Sequence, residues 1–326
     1  MVKPMVSDPF FELIGQPQAV QLLTAAIAQE RVAPAYLFVG APGIGRRLAA
    51  RAFAECLLQG GLQNQDGGDR SQHLRQRITE GNHPDLLWVE PTYLHQGQLL
   101  TAAEAEEQGV KRRTPPQIRL EQIRRIAQFL GRPPLEAPRS VIVLDDANTM
   151  AEAAANGLLK TLEEPGRATL ILIAPSLDSL LPTLVSRCQS IPFRRLEPTA
   201  IAQVLTQVGQ TELLEQPDIL ALAQGSPGEA IANWQQLQTI PPEILEAIAT
   251  LPTTLRSALE LARTLAAQPP ETQLWLVDYW QQKLWYTHQQ AAALPHLEQA
   301  RRCLLTFVQP RLVWDVTLLN LLELVQ

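Results

Sequence analysis

Ala35-Tyr36-Leu37-Phe38-Val39-Gly40-Ala41-Pro42-Gly43-Ile44-Gly45-Arg46-Arg47 passes from a short apolar run through a glycine-rich turn into an Ala/Leu-rich segment that reaches Gln59. The apolar run predicts a strand, and the segment from Arg46 to Gln59, closed by Gly60-Gly61, predicts a helix. A strand, a tight glycine turn and a helix in that order have the outline of a phosphate-binding loop. A working loop reads Gly-x-x-x-x-Gly-Lys-Ser/Thr. Its glycines let backbone N–H groups approach phosphate oxygens, its Lys reaches the β- and γ-phosphates, and its hydroxyl holds Mg²⁺. Here Gly40, Gly43 and Gly45 are present, but Arg46 stands at the Lys position and Arg47 at the hydroxyl position. A planar guanidinium does not replace a compact ammonium at a fitted site, and Arg47 cannot ligate a cation. The loop keeps a nucleotide-binding outline without its chemistry.

Further along, Val141-Ile142-Val143-Leu144 predicts a second buried strand, and it ends in Asp145-Asp146. In a loop enzyme this is the place of the acidic motif, whose first carboxylate orients Mg²⁺ and whose second polarises the attacking water. The alternative role for the pair is to cap the next helix. Strands at Leu86–Val89, Thr169–Ala174 and Ser190–Phe193 alternate with helical patterns at Leu120–Leu130 and around Ala155–Leu162. That alternation predicts a parallel α/β sheet. After Phe193 the pattern is helical only, with a turn at Gly225-Ser226-Pro227-Gly228 and a linker at Pro241-Pro242. Two polar stretches interrupt the α/β part. Gln63–Gly81 reads as a surface loop, and Thr92–Pro116, with Lys111-Arg112-Arg113, reads as a solvated insertion.

The bulk numbers exclude several classes. The 326 residues suffice for two or three domains, and 46% apolar content supplies their cores. With 18% charged residues and a net charge of −6, the chain is not one that grips nucleic acid over its whole surface. Cys56, Cys188 and Cys303 form no C-x-x-C pair, so the expectation is a reducing cytoplasm and no disulfide framework. The first residues lack the apolar region of a signal peptide, and no run has the length of a membrane span. His73 and His83 have no ligand set at zinc spacing around them. Trp275, Trp280, Trp285 and Tyr286 read as helix-bundle core or a subunit contact rather than a base-stacking platform, since only Lys283 lies nearby. By spacing alone Ser186-Arg187-Cys188 is a surface arginine beside a small core residue.

Several segments together carry a resemblance. Ala154-Ala155-Asn156-Gly157-Leu158-Leu159-Lys160-Thr161-Leu162-Glu163-Glu164-Pro165 is similar to a signature of the bacterial clamp-loader subunits of the AAA+ class. Ser186-Arg187-Cys188 matches that family's Ser-Arg-Cys motif. Ala35–Gly40, His83-Pro84-Asp85 and Gly225-Ser226 fit it too, in the right order. The resemblance implies an AAA+ parallel-sheet domain over residues 1–195, a small helical lid over 196–238 and an all-α collar over 239–326. It is carried by motifs from Phe10 to about Ala230; the tail adds only its length and helical character.

Within that family the ATPase subunits (gamma/tau) keep Lys-Ser/Thr in the loop, four zinc-ligating cysteines after the loop helix, and Gly-Ser-x-Arg at the lid. This chain has Arg46-Arg47, Cys56 alone, and Gly228 at the position of the lid arginine. At the first sensor position, after the strand ending at Ala174, it has Pro175-Ser176. The resemblance therefore implies a subunit that is no enzyme on its own, binds neither ATP nor zinc, and leaves ATP and Mg²⁺ to its partners. It implies that Arg187, flanked by Ser186 and Cys188, reaches in trans into a neighbour's ATP site. The implied partners are the gamma/tau and delta subunits, the sliding clamp and primer–template DNA. The competing expectations are a catalytic clamp-loader-type ATPase that uses Arg46 as its phosphate cation, and a stand-alone nucleotide kinase.

Overall fold

A computed structural model describes residues 9–61, 68–110, 115–249, 251–285 and 291–324. They form two compact units, residues up to Ala200 and residues from Ile201.

The first unit is built on a five-stranded sheet of β1 (Ala35–Val39), β2 (Leu86–Val89), β5 (Ser140–Leu144), β6 (Ala168–Ala174) and β7 (Gln189–Pro192), in the order β2-β5-β6-β1-β7. Every pairing is parallel, so each connection crosses over through other structure. The strands predicted as apolar runs are the buried ones: β5 and β6 are buried at every position. A sheet covered on both faces has no exposed face for polar residues, which is why these runs do not alternate. Helices α1 (Pro17–Ala28), α2 (Arg46–Gln59), α5 (Leu120–Leu130) and α6 (Glu152–Glu163) supply the cover. On one face Ile123, Ile126, Leu158 and Leu162 pack with Leu37, Ile142, Leu144 and Leu170. Burying side chains of this size removes about 1.5–3 kcal/mol of unfavourable hydration each.

Two expectations need correction. The stretch that reads as a loop over Gln63–Gly81 contains helix α3 (Gly68–Thr79). Its apolar content is small, with Leu74 and Ile78 at i,i+4 and Ile78 buried. It is anchored instead by charge: Arg75 Nε lies 2.8 Å from Glu55 Oε2 on α2. Periodicity cannot find a helix held by an ion pair. The insertion Thr92–Pro116 is also structured where described. Its strands β3 (Tyr93–His95) and β4 (Gln98–Leu100) form a hairpin about Gln96 (φ +49°) and Gly97 (φ +81°), the two positive φ angles of a tight two-residue turn. Helix α4 (Ala102–Glu107) follows with a Thr101/Glu104 capping box, and Leu100 and Ala105 are buried. Lys111–Arg113 lie outside the described residues. His83-Pro84-Asp85 serves the architecture of the sheet unit. The Asp85 carboxylate accepts the backbone N–H groups of Leu135, Glu136 and Ala137 at 2.7–2.8 Å. Burial alone would raise its pKa, but these donors outweigh it and hold the carboxyl below the usual range.

The remaining first-unit elements are α7 (Pro182–Val185) and the start of α8 (Pro198–Gln207). The second unit continues with α9 (Pro217–Ala223), α10 (Pro227–Thr239), α11 (Pro242–Ala249), α12 (Leu255–Ala266), α13 (Pro270–Lys283), α14 (Leu294–Leu305) and α15 (Pro310–Glu323). Elements from α9 to α15 draw on one core, in which Ile219, Ile244, Leu261, Leu276, Trp280, Leu297, Trp314 and Leu318 are buried. Trp280 is core, as expected. Trp275 stacks on Tyr279 with ring centroids 4.9 Å apart, and Trp285 is exposed. Tyr286 lies outside the described residues. Trp314 is a core member that the aromatic cluster does not foreshadow; its indole N–H donates to Gln273 Oε1 at 2.8 Å. Among the described residues no helix is long and apolar enough to cross a membrane.

Candidate functional site

The glycine loop joins β1 to α2 as predicted, and its shape is set by close approaches. A Cβ on Gly40 would stand 2.6 Å from the carbonyl oxygen of Phe193. Gly45 has φ +101°, and a Cβ there would meet Leu13 Cδ1 at 2.6 Å. Only glycine meets both demands at position 45. Gln16, 3% exposed, staples the loop from behind. Its side-chain amide donates to the carbonyls of Ile44 (3.1 Å) and Arg194 (2.7 Å), and its Oε1 accepts from the Arg194 N–H at 3.0 Å. The loop backbone is thus held by the protein itself.

The two arginines behave differently. Arg46 is 6% exposed, and its Nη1 has no hydrogen-bond partner. Burial lowers its pKa, against the opposing pull of Asp146 and Asp145. Arg47 is half-exposed and turns toward the sheet edge. Its Nε lies 2.5 Å from Asp145 Oδ2, and it also pairs with Glu90. Asp145 is 3% exposed. Burial raises its pKa, Arg47 pulls it back, and Asp146 and Glu90 push it up again. Asp146 is exposed, with φ +46°, and its side chain caps no helix. The Asp146 side chain therefore does not take the alternative capping role, while the Asp145 carboxylate accepts the Asp146 N–H at 3.0 Å. The guanidinium of Arg47, at the hydroxyl position of the motif, sits on the carboxylate that a divalent cation would need.

Glu90 is not among the residues that the sequence motifs single out, although a signal exists. Val89 pairs with Leu144 in the parallel register, so Glu90 and Asp145 leave the sheet side by side. Two acidic residues that each follow an apolar strand meet at the carboxyl edge when those strands are neighbours. Arg47 and Arg51, one helical turn apart on α2, both lie over the Trp88 ring at 5.9 and 5.5 Å from its centroid.

Ser186, Arg187 and Cys188 follow α7. Cys188 packs its side chain against the sheet core, and burial pushes its thiol up to about 11. The Ser186 hydroxyl donates to the Thr183 carbonyl at 3.1 Å. Arg187 is exposed: Nη1 donates to the same carbonyl at 3.0 Å, and Nη2 lies 2.8 Å from Glu163 Oε1. The structure therefore brings Gly40, Gly43, Gly45, Arg46, Arg47, Asp145 and Asp146 to one place in the first unit, with Arg187 presented elsewhere on that unit. Gly228 belongs to the second unit, in the first turn of α10, where the Ser226 hydroxyl caps the helix by accepting from the Glu229 N–H at 3.2 Å.

The fold and site define an α/β P-loop unit with an altered loop, followed by a helical unit. The chain belongs to the family described as DNA polymerase III, delta subunit, which matches residues 15–197, more than half of its length. The description "Cyanobacterial DNA polymerase III delta prime, C-terminal domain" matches residues 199–321. Among relatives, DNA polymerase III subunit delta' of Bacillus subtilis is 33% identical over 195 residues, 59% of this chain and 51% of that protein. The delta' subunit of Pseudomonas aeruginosa is 34% identical over 60% of this chain and 54% of that one. The tau subunit of Bacillus subtilis is 25% identical over 73% of this chain and 39% of its own length. The chain thus spans about half the length of the curated relatives it matches. A gamma subunit-related protein of Thermotoga maritima shares the fold, with a TM-score of 0.51 at 15% identity over 94% of this chain and 99% of that one.

Proposed function

We propose that this chain is a non-hydrolysing clamp-loader subunit of the delta prime kind, acting in DNA replication in the cytoplasm. The observation that carries this reading is the Arg47–Asp145 ion pair, in which the protein supplies its own cation where the ATPase members need Mg²⁺. The sheet unit is then a scaffold, α8–α10 a lid, and α11–α15 a collar that joins neighbouring subunits. Gamma/tau and delta are its assembly partners, and the assembled loader places a sliding clamp on primer–template DNA. The chain binds no ATP, Mg²⁺ or zinc of its own.

Exposed Arg187 supports a role in trans. A guanidinium inserted into a neighbour's ATP site stabilises charge on the transferring phosphoryl, an effect worth roughly 10³–10⁵ in rate at that site. The chemistry then lies in the neighbour's pocket, with one essential group supplied from outside. Arg187→Ala is expected to leave folding and assembly intact, because the side chain is exposed, and to lower DNA-stimulated ATP hydrolysis and clamp loading by the reconstituted complex. Unchanged hydrolysis in that complex overturns the role of Arg187. Calorimetric titration of the isolated chain with Mg-ATP is expected to show no binding, and micromolar affinity overturns the claim that the chain binds no ATP of its own.

A further inference from the structure

Two of the segments that carry the resemblance meet in a single ion pair. Glu163 is the last residue of α6, and its carboxylate holds Arg187 Nη2 at 2.8 Å while Nη1 is held by the Thr183 carbonyl. Packing does not require an acid here, since the Glu163 side chain is 52% exposed. Helix electrostatics does not favour one either: the C-terminal turn of α6 presents unpaired carbonyls, where a carboxylate is repelled. Glu163 occupies a position that disfavours its charge; Lys160 stands in the same last turn, and Arg187 is the cation that the Glu163 carboxylate pairs with.

We propose that Glu163 is the positioning residue of Arg187: it latches the guanidinium onto its own subunit and yields it to the phosphates of a nucleotide held by the neighbouring subunit. The inference rests on the trans-acting role of Arg187 proposed above. Both terminal nitrogens of the guanidinium carry a partner within the chain, so a bidentate grip on a phosphoryl group through these two nitrogens requires that the latch open. Opening is easy. With side chains 37% and 52% exposed the pair is screened, and a surface pair of this kind shifts an equilibrium by roughly two- to fivefold. A doubly contacted phosphate in a water-poor interface outcompetes it. The latch thus keeps the finger ordered but unavailable until a charged nucleotide and a correctly seated neighbour are both present.

The test uses the reconstituted complex with wild-type chain, Glu163→Gln, Arg187→Ala and the double variant. Glu163→Gln is expected to raise ATP hydrolysis in the absence of DNA about two- to fivefold at unchanged KM, with no effect in the Arg187→Ala background. In the isolated full chain, the Arg187 side-chain N–H order parameter measured by NMR is expected to fall in Glu163→Gln, while melting is unchanged. A merely structural surface pair would move neither the DNA-independent rate nor its dependence on Arg187. A DNA-independent rate at or below the wild-type value overturns the latch while Arg187→Ala still lowers hydrolysis. A gain that persists without Arg187 also overturns it. If Arg187→Ala leaves hydrolysis unchanged, the trans-acting reading falls and the latch falls with it.

Discussion

Replacing Arg47 by Thr restores the hydroxyl that a working loop carries, yet it is expected to destabilise the sheet unit, because Arg47 is the cation paired with a nearly fully buried carboxylate. Unit charges about 4 Å apart interact by about 4 kcal/mol at an effective dielectric near 20. The Arg47 side chain is 53% exposed, so solvent screening reduces its share, leaving about 1–3 kcal/mol for loss of the pair. The pH dependence identifies the cause. Burial already holds the Asp145 pKa above its ordinary value, and Arg47 opposes that shift. Without Arg47 the folded-state pKa rises further while the unfolded-state value stays near about 3.9. When the folded value is the higher one, the unfolded chain releases its proton first, and stability is lost as pH climbs from the unfolded toward the folded pKa. The deficit of Arg47→Thr should therefore be small near pH 4 and grow to its plateau at neutral pH. Urea denaturation at several pH values, with hydrogen exchange of the β5 amides reporting on the sheet unit alone, measures this. Asp145→Asn in the same chain removes the carboxylate and should return most of the loss. A deficit equal at pH 4 and pH 7.5, or a double variant no more stable than Arg47→Thr, would refute the reasoning.

Two further outcomes follow from the geometry. Gln16→Ala strips hydrogen-bond partners from the carbonyls of Ile44 and Arg194 and from the Arg194 N–H, and should cost about 2–4 kcal/mol in the sheet unit, read by the same denaturation assay. The Cys188 thiol, held at about 11 by burial, should react with iodoacetamide at pH 8 on the order of 100-fold more slowly than an unhindered cysteine. Alkylation of Cys188 at the rate of a small-molecule thiol would contradict its packing against the core.

How far the sequence is legible depends on what holds each element. Apolar runs, glycine stops and helical spacing bound β1, α2, β2 and α5, and the structure gives Ala35–Val39, Arg46–Gln59, Leu86–Val89 and Leu120–Leu130. These elements are held by burial, and burial leaves a periodic trace. α3 leaves only the pair Leu74 and Ile78, because much of its anchoring is Arg75 on Glu55, a pair twenty residues apart in sequence. The hairpin Tyr93–Leu100 escapes for another reason: its strands are only three residues long, too short for an alternation to be recognised. Its Gln96-Gly97 turn is the available signal.

The candidate site divides along the same line. The departure of the loop from Gly-Lys-Ser/Thr is written in the chain itself, since Arg46, Arg47 and Gly45 are adjacent and a motif of contiguous residues needs no fold to be read. What the substituted side chains do instead is decided by tertiary structure. Parallel pairing of β2 with β5 sets Glu90 beside Asp145, and α2 leans over that edge so that Arg47 reaches both. The meeting of Glu163 with Arg187 likewise depends on α6 and α7 packing together, across twenty-four positions of sequence. Sequence determined which charges the chain carries. Only the fold decided which of them neutralise one another, because Coulomb attraction acts through space and chain separation does not enter it.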